Sequence, residues 1–202
     1  MNRSRLLLVL MACLLSMTSF GQEVQHMTFK GIPINGTLRE LVPKMKQQGF
    51  TYEKVEQNDE GRWALFTGEF YGVKNCTIAA HAPDAVSNCQ MIIVQFPSSN
   101  SWSLLENRYT KLKESLTSKY GPPAEVTEEF KGRTPMDDNA KMRFLLNGTC
   151  DYTSHWAIRG LQQGVITLII APNESNGTGC VLLNYADVVS MYPEEESNDD
   201  DL

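Results

Sequence analysis

The chain has 202 residues, 42% of them hydrophobic and 21% charged, with a formal net charge of −6. That length supports one full hydrophobic core or two small fused ones. Both charge signs are mixed along the body and no basic stripe is present, which argues against nucleic acid as a partner.

In chain order, the first segment reads as a targeting signal. Arg3 and Arg5 precede a run from Leu6 to Met17 that only Ser16 interrupts, and Ser19-Phe20-Gly21 then offers small residues where a signal peptidase reads. This is the layout of a secretory signal spanning 1–21, with Gln22 as the new N-terminus and a periplasmic or secreted destination. The apolar run is roughly twelve residues, short of the ~20 a membrane-crossing helix needs. No second long apolar run follows, so no transmembrane span is expected. Leu10-Met11-Ala12-Cys13 loosely resembles a lipobox, but lipidation at Cys13 would strand apolar residues on the mature side. Removal of Arg3 and Arg5 with the signal takes the formal charge from −6 to −8.

Met27-Thr28-Phe29, Ile32 and Ile34 form a short extended segment that Gly31 and Pro33 should break. Thr37 followed by Glu40 reads as a capping box. Leu38, Leu41, Val42 and Met45 then recur at helical spacing up to Gly49, with Pro43 expected to kink or shorten the helix. Strands are expected at Thr51–Val55, Trp63–Phe70, Asn75–His81 and Gln90–Phe96, an antiparallel meander. A second helix follows, capped by Ser101 or Ser103. It carries one apolar stripe of Trp102, Leu105, Tyr109, Leu112, Leu116 and Tyr120, and ends at Gly121-Pro122-Pro123. Further strands are expected at Ala124–Phe130, Met142–Leu146, Cys150–Arg159, Val165–Ala171 and Cys180–Tyr185, with 131–141 as a polar loop. In the strand from Cys150, the residues Cys150, Tyr152, Ser154, Trp156 and Ile158 alternate with Asp151, Thr153, His155, Ala157 and Arg159, the period of a strand with one buried face.

The pattern is helix–sheet, then helix–sheet, an internal duplication of about 75 to 90 residues. The expected organisation is a signal at 1–21, a first α+β repeat at 22–97, a second at 98–188 and a disordered acidic tail at 189–202. The fold class is α+β, two tandem helix-plus-meander units with helices packed on one face of antiparallel sheet. In the tail, Glu194, Glu195, Glu196, Asp199, Asp200 and Asp201 form a like-charge block without the fixed oxygen cage that tight calcium binding needs.

Lys119-Tyr120-Gly121-Pro122 closing a helix before strands, and Gly68-Glu69-Phe70-Tyr71-Gly72 at a hairpin, carry a similarity of layout. Over residues 27–186 the chain resembles β-lactamase-inhibitor-protein-like domains and the SmpA/OmlA-type outer-membrane assembly lipoproteins. The export signal also looks like those of uncharacterised secreted Bacteroidota proteins. The resemblance implies a protein-binding or scaffolding role outside the cytoplasm, and it carries over no functional residue.

Of the five cysteines, Cys76, Cys89, Cys150 and Cys180 lie beyond the signal. An even number in an exported chain predicts disulfides. A turn centred between Ala82 and Pro83 would set Cys76 opposite Cys89, and Cys150–Cys180 follows by elimination. No C-x-x-C occurs and no cysteine has a histidine within three residues, so no metal site is expected. His26, His81 and His155 lie outside any metal-binding spacing. His155 should sit on a polar face opposite Trp156. No nucleophile elbow, phosphate loop or dinucleotide fingerprint is present, and no cofactor is implied.

Glu125, Glu128 and Glu129 are the carboxylates that a secreted glycan hydrolase would draw on, although acidic residues are common in an acidic chain. Beyond the signal, five Asn-x-Ser/Thr triplets match the glycosylation sequon, and the three that contain Asn-Gly, at Asn35, Asn147 and Asn176, double as turn chemistry. Surface aromatics near the first meander, Trp63 and Tyr71 above all, are candidates for a partner-binding surface, though such residues more often fill a core. The functional expectation is an exported, non-enzymatic module that binds another envelope or extracellular protein through its sheet. The alternatives are the glycan hydrolase and a small-ligand or lipid carrier with a large cavity between helices and sheet.

Overall fold

The computed structural model describes residues 25–159, 163–173 and 175–192. The signal segment, Cys13, the expected cleavage at Gly21-Gln22 and the acidic residues from Glu194 onward lie outside the described residues.

The chain begins with a small hairpin, β1 (Thr28–Phe29) against β2 (Ile32–Pro33). Lys30 and Gly31 both have positive φ, 47° and 80°, as a two-residue hairpin turn demands. Gly31 therefore makes the turn rather than breaking the segment, and Pro33 is accommodated in a strand with no further neighbour. Helix α1 (Leu38–Gln47) starts at Thr37 with the expected reciprocal capping box to Glu40. It runs through Pro43 because Leu38, Leu41 and Met45 are all buried beneath it, and packing outweighs one missing backbone donor.

A single eight-stranded antiparallel sheet follows, in the order β3-β4-β5-β6-β10-β9-β8-β7. The first four strands are β3 (Thr51–Asn58), β4 (Gly61–Phe70), β5 (Val73–Ala82) and β6 (Met91–Gln95). They form one meander. The last four are β7 (Glu125–Phe130), β8 (Cys150–Ile158), β9 (Gly164–Asn173) and β10 (Thr178–Asp187), and they form the other. The final strands of the two meanders meet at the centre, with Leu183 opposite Val94 and Tyr185 opposite Ile92. The fold class is α+β, with helices on one face of antiparallel sheet.

Helix α2 (Trp102–Tyr120) lies over the second meander, capped by Ser101 and closed at Gly121, whose φ is 84°. Its buried stripe is Trp102, Leu105, Tyr109, Leu112 and Leu116. Under it, Tyr109 Oη and Ser154 Oγ are 2.6 Å apart and the Trp156 indole donates to the Gly121 carbonyl oxygen at 3.0 Å. Ser154 and Trp156 thus occupy the core face of β8, in the alternation expected for it.

The end of the expected loop, from Asp138, and the expected strand Met142–Leu146 are instead one helix, α3 (Asp138–Leu146), capped by Asp137, while 131–137 is irregular as expected. The buried residues are Met142 and Leu145, three apart, where a strand would have buried alternate ones. Asp138 ties this helix to the start of α2, accepting from Ser101 Oγ at 3.0 Å and Ser103 Oγ at 2.6 Å. Gly179 of β10 permits the close approach of both helices: a Cβ there would lie 2.5 Å from Leu105 and 2.7 Å from Leu145. A last turn of helix, α4 (Val188–Met191), is capped by Asp187 and buries Ser190, so ordered chain extends past residue 189. One hydrophobic cluster joins α1, α2, α3 and the inner faces of both meanders.

The expected disulfides are overturned by register. Thr77 stands opposite Gln95 and His81 opposite Met91, which leaves Cys76 near one end of the β5–β6 ladder and Cys89 just beyond the other. The tight turn assumed at Ala82-Pro83 is a wider loop organised by Asp84, whose carboxylate accepts from the Val86 and Ser87 amides and the Ser87 hydroxyl. Cys150 and Cys180 lie two strands apart with β9 between them. Two inter-strand spacings are ~9.6 Å, beyond the ~7 Å a disulfide spans. Cys150 also faces the core, whereas Cys180 sits on the opposite side of its strand from Val181 and Leu183. All four cysteines are free thiols.

Candidate functional site

The alternation of side chains leaves the sheet with two unlike faces. One is covered by α1, α2 and α3. Over the other, no helix or hairpin among the described residues is packed. Cross-strand register aligns the side chains of this uncovered face into rows. One row reads Trp63, His81, Met91, Ala186, Val165 and Ala157. The next includes Leu65, Ala79, Ile93 and Asn184, then Thr167 and His155 toward the far edge. Leu182 and Ile169 continue the apolar centre one row on. These side chains are mostly half-buried.

Trp63 is the largest group on the face. Its ring lies 4.5 Å from that of His81, whose Nε2 is 2.9 Å from the Glu60 carbonyl oxygen. The packed imidazole restricts the indole from one side. At the far rim the charge is of one sign. Glu125 stands opposite His155 and Glu129 opposite Asp151, all on the uncovered face. At the β3 rim, Lys54 and Glu56 pair with each other. His155 lies on the expected polar face opposite Trp156, with Nδ1 3.0 Å from Thr167 Oγ1.

Tyr71 is elsewhere. It occupies the β4–β5 turn at the helix side, half exposed, with φ of 52° next to Gly72 at 71°. The structure therefore separates the two aromatic candidates rather than joining them in one surface. Tyr71 stands over a cleft of about 490 Å³ between the hairpin tip and α2, lined by Val73, Phe96, Leu104, Arg108 and Leu112 among others.

Of the three named carboxylates, Glu128 points to the helix side and pairs with Lys113 at 2.6 Å, while Glu125 and Glu129 point to the uncovered face. Glu125 and Glu129 are four residues apart on one strand, ~13 Å, wider than either glycosidase spacing. The thiols are equally quiet. Burial raises the Cys89 and Cys150 pKa values to about 12 and also raises those of Cys76 and Cys180, which keeps all four protonated and poorly nucleophilic near neutrality.

One polar constellation was not foreseen. Asp187, fully buried, accepts from the Met27 amide at 2.5 Å and the Ser190 amide at 2.7 Å, and its Oδ2 lies 2.8 Å from His26 Nδ1. Ser190 Oγ is 3.2 Å from the same Nδ1 and donates to the Ile34 carbonyl oxygen at 3.0 Å. Serine, histidine and aspartate are all present, but a hydrolytic triad needs the serine on one ring nitrogen and the carboxylate on the other. Here both meet Nδ1, and the cluster serves as a clasp between the N-terminal hairpin and the end of β10. A sequence reading could have found only the helix cap, Asp187 three residues before Ser190, because His26 is 161 residues away.

Comparison with known proteins finds no matching family model, no matching curated protein and no matching solved structure.

Proposed function

We propose that this is an exported module that binds another envelope or extracellular protein through the uncovered face of its sheet. The observation that carries the reading is the contrast between the two faces: one covered by three helices, the other free of any helix among the described residues and apolar at its centre around Trp63, Met91, Ile93, Val165, Leu182 and Ile169. Apolar side chains grouped on one face and rimmed by polar ones are the pattern of an interaction site. Eight strands side by side span ~34 Å, and six of them, with eight to ten residues each, run ~27–34 Å. That is of the order of the ~800 Å² per partner in a standard interface. The arrangement also has the anatomy of an interface, an aromatic and aliphatic centre with a polar rim. The acidic β7–β8 rim calls for basic residues on the partner's matching edge.

Export rests on the segment 1–21, and a role outside the cytoplasm is what the sequence's resemblance to β-lactamase-inhibitor-protein-like and SmpA/OmlA-type domains implies. Tandem duplication is proposed on the same footing: α1 precedes β3–β6, α2 precedes β7–β10, and the two meanders meet through their last strands. In this view α3 is an insertion into the second unit.

The test is retention of a protein from extracellular or envelope extract on immobilised wild type, Ile93→Glu and Tyr71→Asn chains. The expected outcome is one species held by wild type and Tyr71→Asn but lost with Ile93→Glu, whose charge falls at the centre of the face. Retention that ignores Ile93→Glu, or no retained species at all, overturns the reading.

A further inference from the structure

On the helix side, Tyr71 divides two cavities rather than capping one. The first is the cleft of about 490 Å³; the second, about 160 Å³, is lined by Thr28, Lys30, Phe70, Leu116, Lys119 and Tyr185, with Tyr71 again in its wall. They follow one face of α2, from Leu104 to Lys119, ~22 Å of helix. The volume of the first lies within the range of small-molecule sites, and its floor of Val73, Phe96 and Leu112 is apolar.

The charged residues around this groove are unbalanced. Arg108 and Lys111 border the first cavity, Lys30 and Lys119 the second, and Glu114 is the single carboxylate among the lining residues. Arg108 is held for a task. Its guanidinium lies 5.7 Å from the Phe96 ring centre, and Nη1 donates to the Pro97 carbonyl oxygen at 2.8 Å. Among the described residues it has no other hydrogen-bond acceptor, so the rest of its fork is open to a ligand. Tyr71 adds an independent sign. A bulky residue at a left-handed turn position, where asparagine or glycine costs less, stores strain of ~1–2 kcal/mol. Such outliers concentrate at binding sites.

We propose that this groove is a second ligand site, separate from the uncovered sheet face, and that it takes an amphipathic organic anion. The aliphatic or aromatic body lies under Tyr71 on Val73, Phe96 and Leu112. The carboxylate meets Arg108 and Lys111. Tyr71 is the movable partition that decides how far the body extends toward Lys119.

The experiment is calorimetric titration of the full chain with decanoate and with decanol, which shares the alkyl body but lacks the charge. Saturable one-to-one binding of decanoate below its self-association limit is expected, at least about tenfold tighter than decanol. Arg108→Gln and Lys111→Gln should each weaken decanoate about tenfold while leaving decanol unchanged. Tyr71→Asn, which suits the turn and so preserves the hairpin, should weaken both ligands. Trp63→Ala should leave decanoate binding as in the wild type. Equal affinity for the two ligands, indifference to Arg108→Gln and Lys111→Gln, or loss through Trp63→Ala would each overturn the proposal. Thermal melting of every variant checks that a lost signal is not lost fold.

Discussion

Asp187 ties the N-terminal hairpin to the end of β10 from a fully buried position. Its carboxylate holds the Met27 amide, the Ser190 amide and the His26 ring at once, and no solvent reaches it. Removing the acceptor leaves buried donors without a partner, at ~1–3 kcal/mol for each such group. Asp187→Ala should therefore lower stability by about 3 kcal/mol or more in urea titration, with the 25–34 hairpin losing hydrogen-exchange protection first. The thiols set a second expectation. An unfolded cysteine gives up its proton near the ordinary 9, whereas folded Cys89 and Cys150 keep theirs until about 12. The folded state thus binds more protons between those values. Their contribution to stability is complete below pH 9 and lost as the pH rises toward 12. Buried Tyr109 and Tyr185, whose pKa values burial also raises, act in the same direction. A melting temperature that holds steady up to pH 11 would contradict this. The clasp itself was beyond a sequence reading, since nothing local links His26 to Asp187.

Elements with strong local signals were legible. Thr37 with Glu40, the stripe from Trp102 to Leu116 and the two-residue period from Cys150 to Ile158 each appear where periodicity placed them. Helix α3 did not, because Met142 to Leu146 is a short apolar run in which helix and strand periods cannot be told apart. What decides for helix is tertiary: Leu145 settles beside Leu105 over Gly179. Gly179→Ala forces those side chains aside and should cost about 1–3 kcal/mol by overpacking, read as a lowered denaturation midpoint. Pro43 offers a change of opposite sign. Proline in a helix interior costs ~3 kcal/mol relative to alanine, and its rigidity in the unfolded chain returns ~1 kcal/mol. Pro43→Ala should accordingly stabilise the protein by roughly 1–2 kcal/mol, a gain visible in the same titration.

At the scale of the molecule, the single cluster running beneath both meanders predicts one cooperative transition. Calorimetric and van't Hoff enthalpies should agree, and two resolved transitions would mean the halves are energetically independent. The layered layout was legible from the sequence, whereas the meeting of β6 with β10 was not. Strand pairing between elements some ninety residues apart leaves no local trace. The same gap explains the disulfide error, because a register shift along β5 and β6 moves Cys89 away from Cys76 without altering any residue's strand propensity. The two faces could be assigned only once that register was known, so Trp63 and Tyr71 looked like neighbours in sequence and prove to serve different surfaces.

The outermost strands add a consequence of their own. β3 carries an irregularity between Tyr52 and Lys54 and exposes Glu53, Lys54 and Glu56, while β7 presents Glu125, Glu128 and Glu129. A second molecule seeking to prolong the ribbon would meet a kinked border on one flank and the carboxylates of Glu125 and Glu129 on the other. Runaway edge-to-edge stacking into fibrils is thereby discouraged.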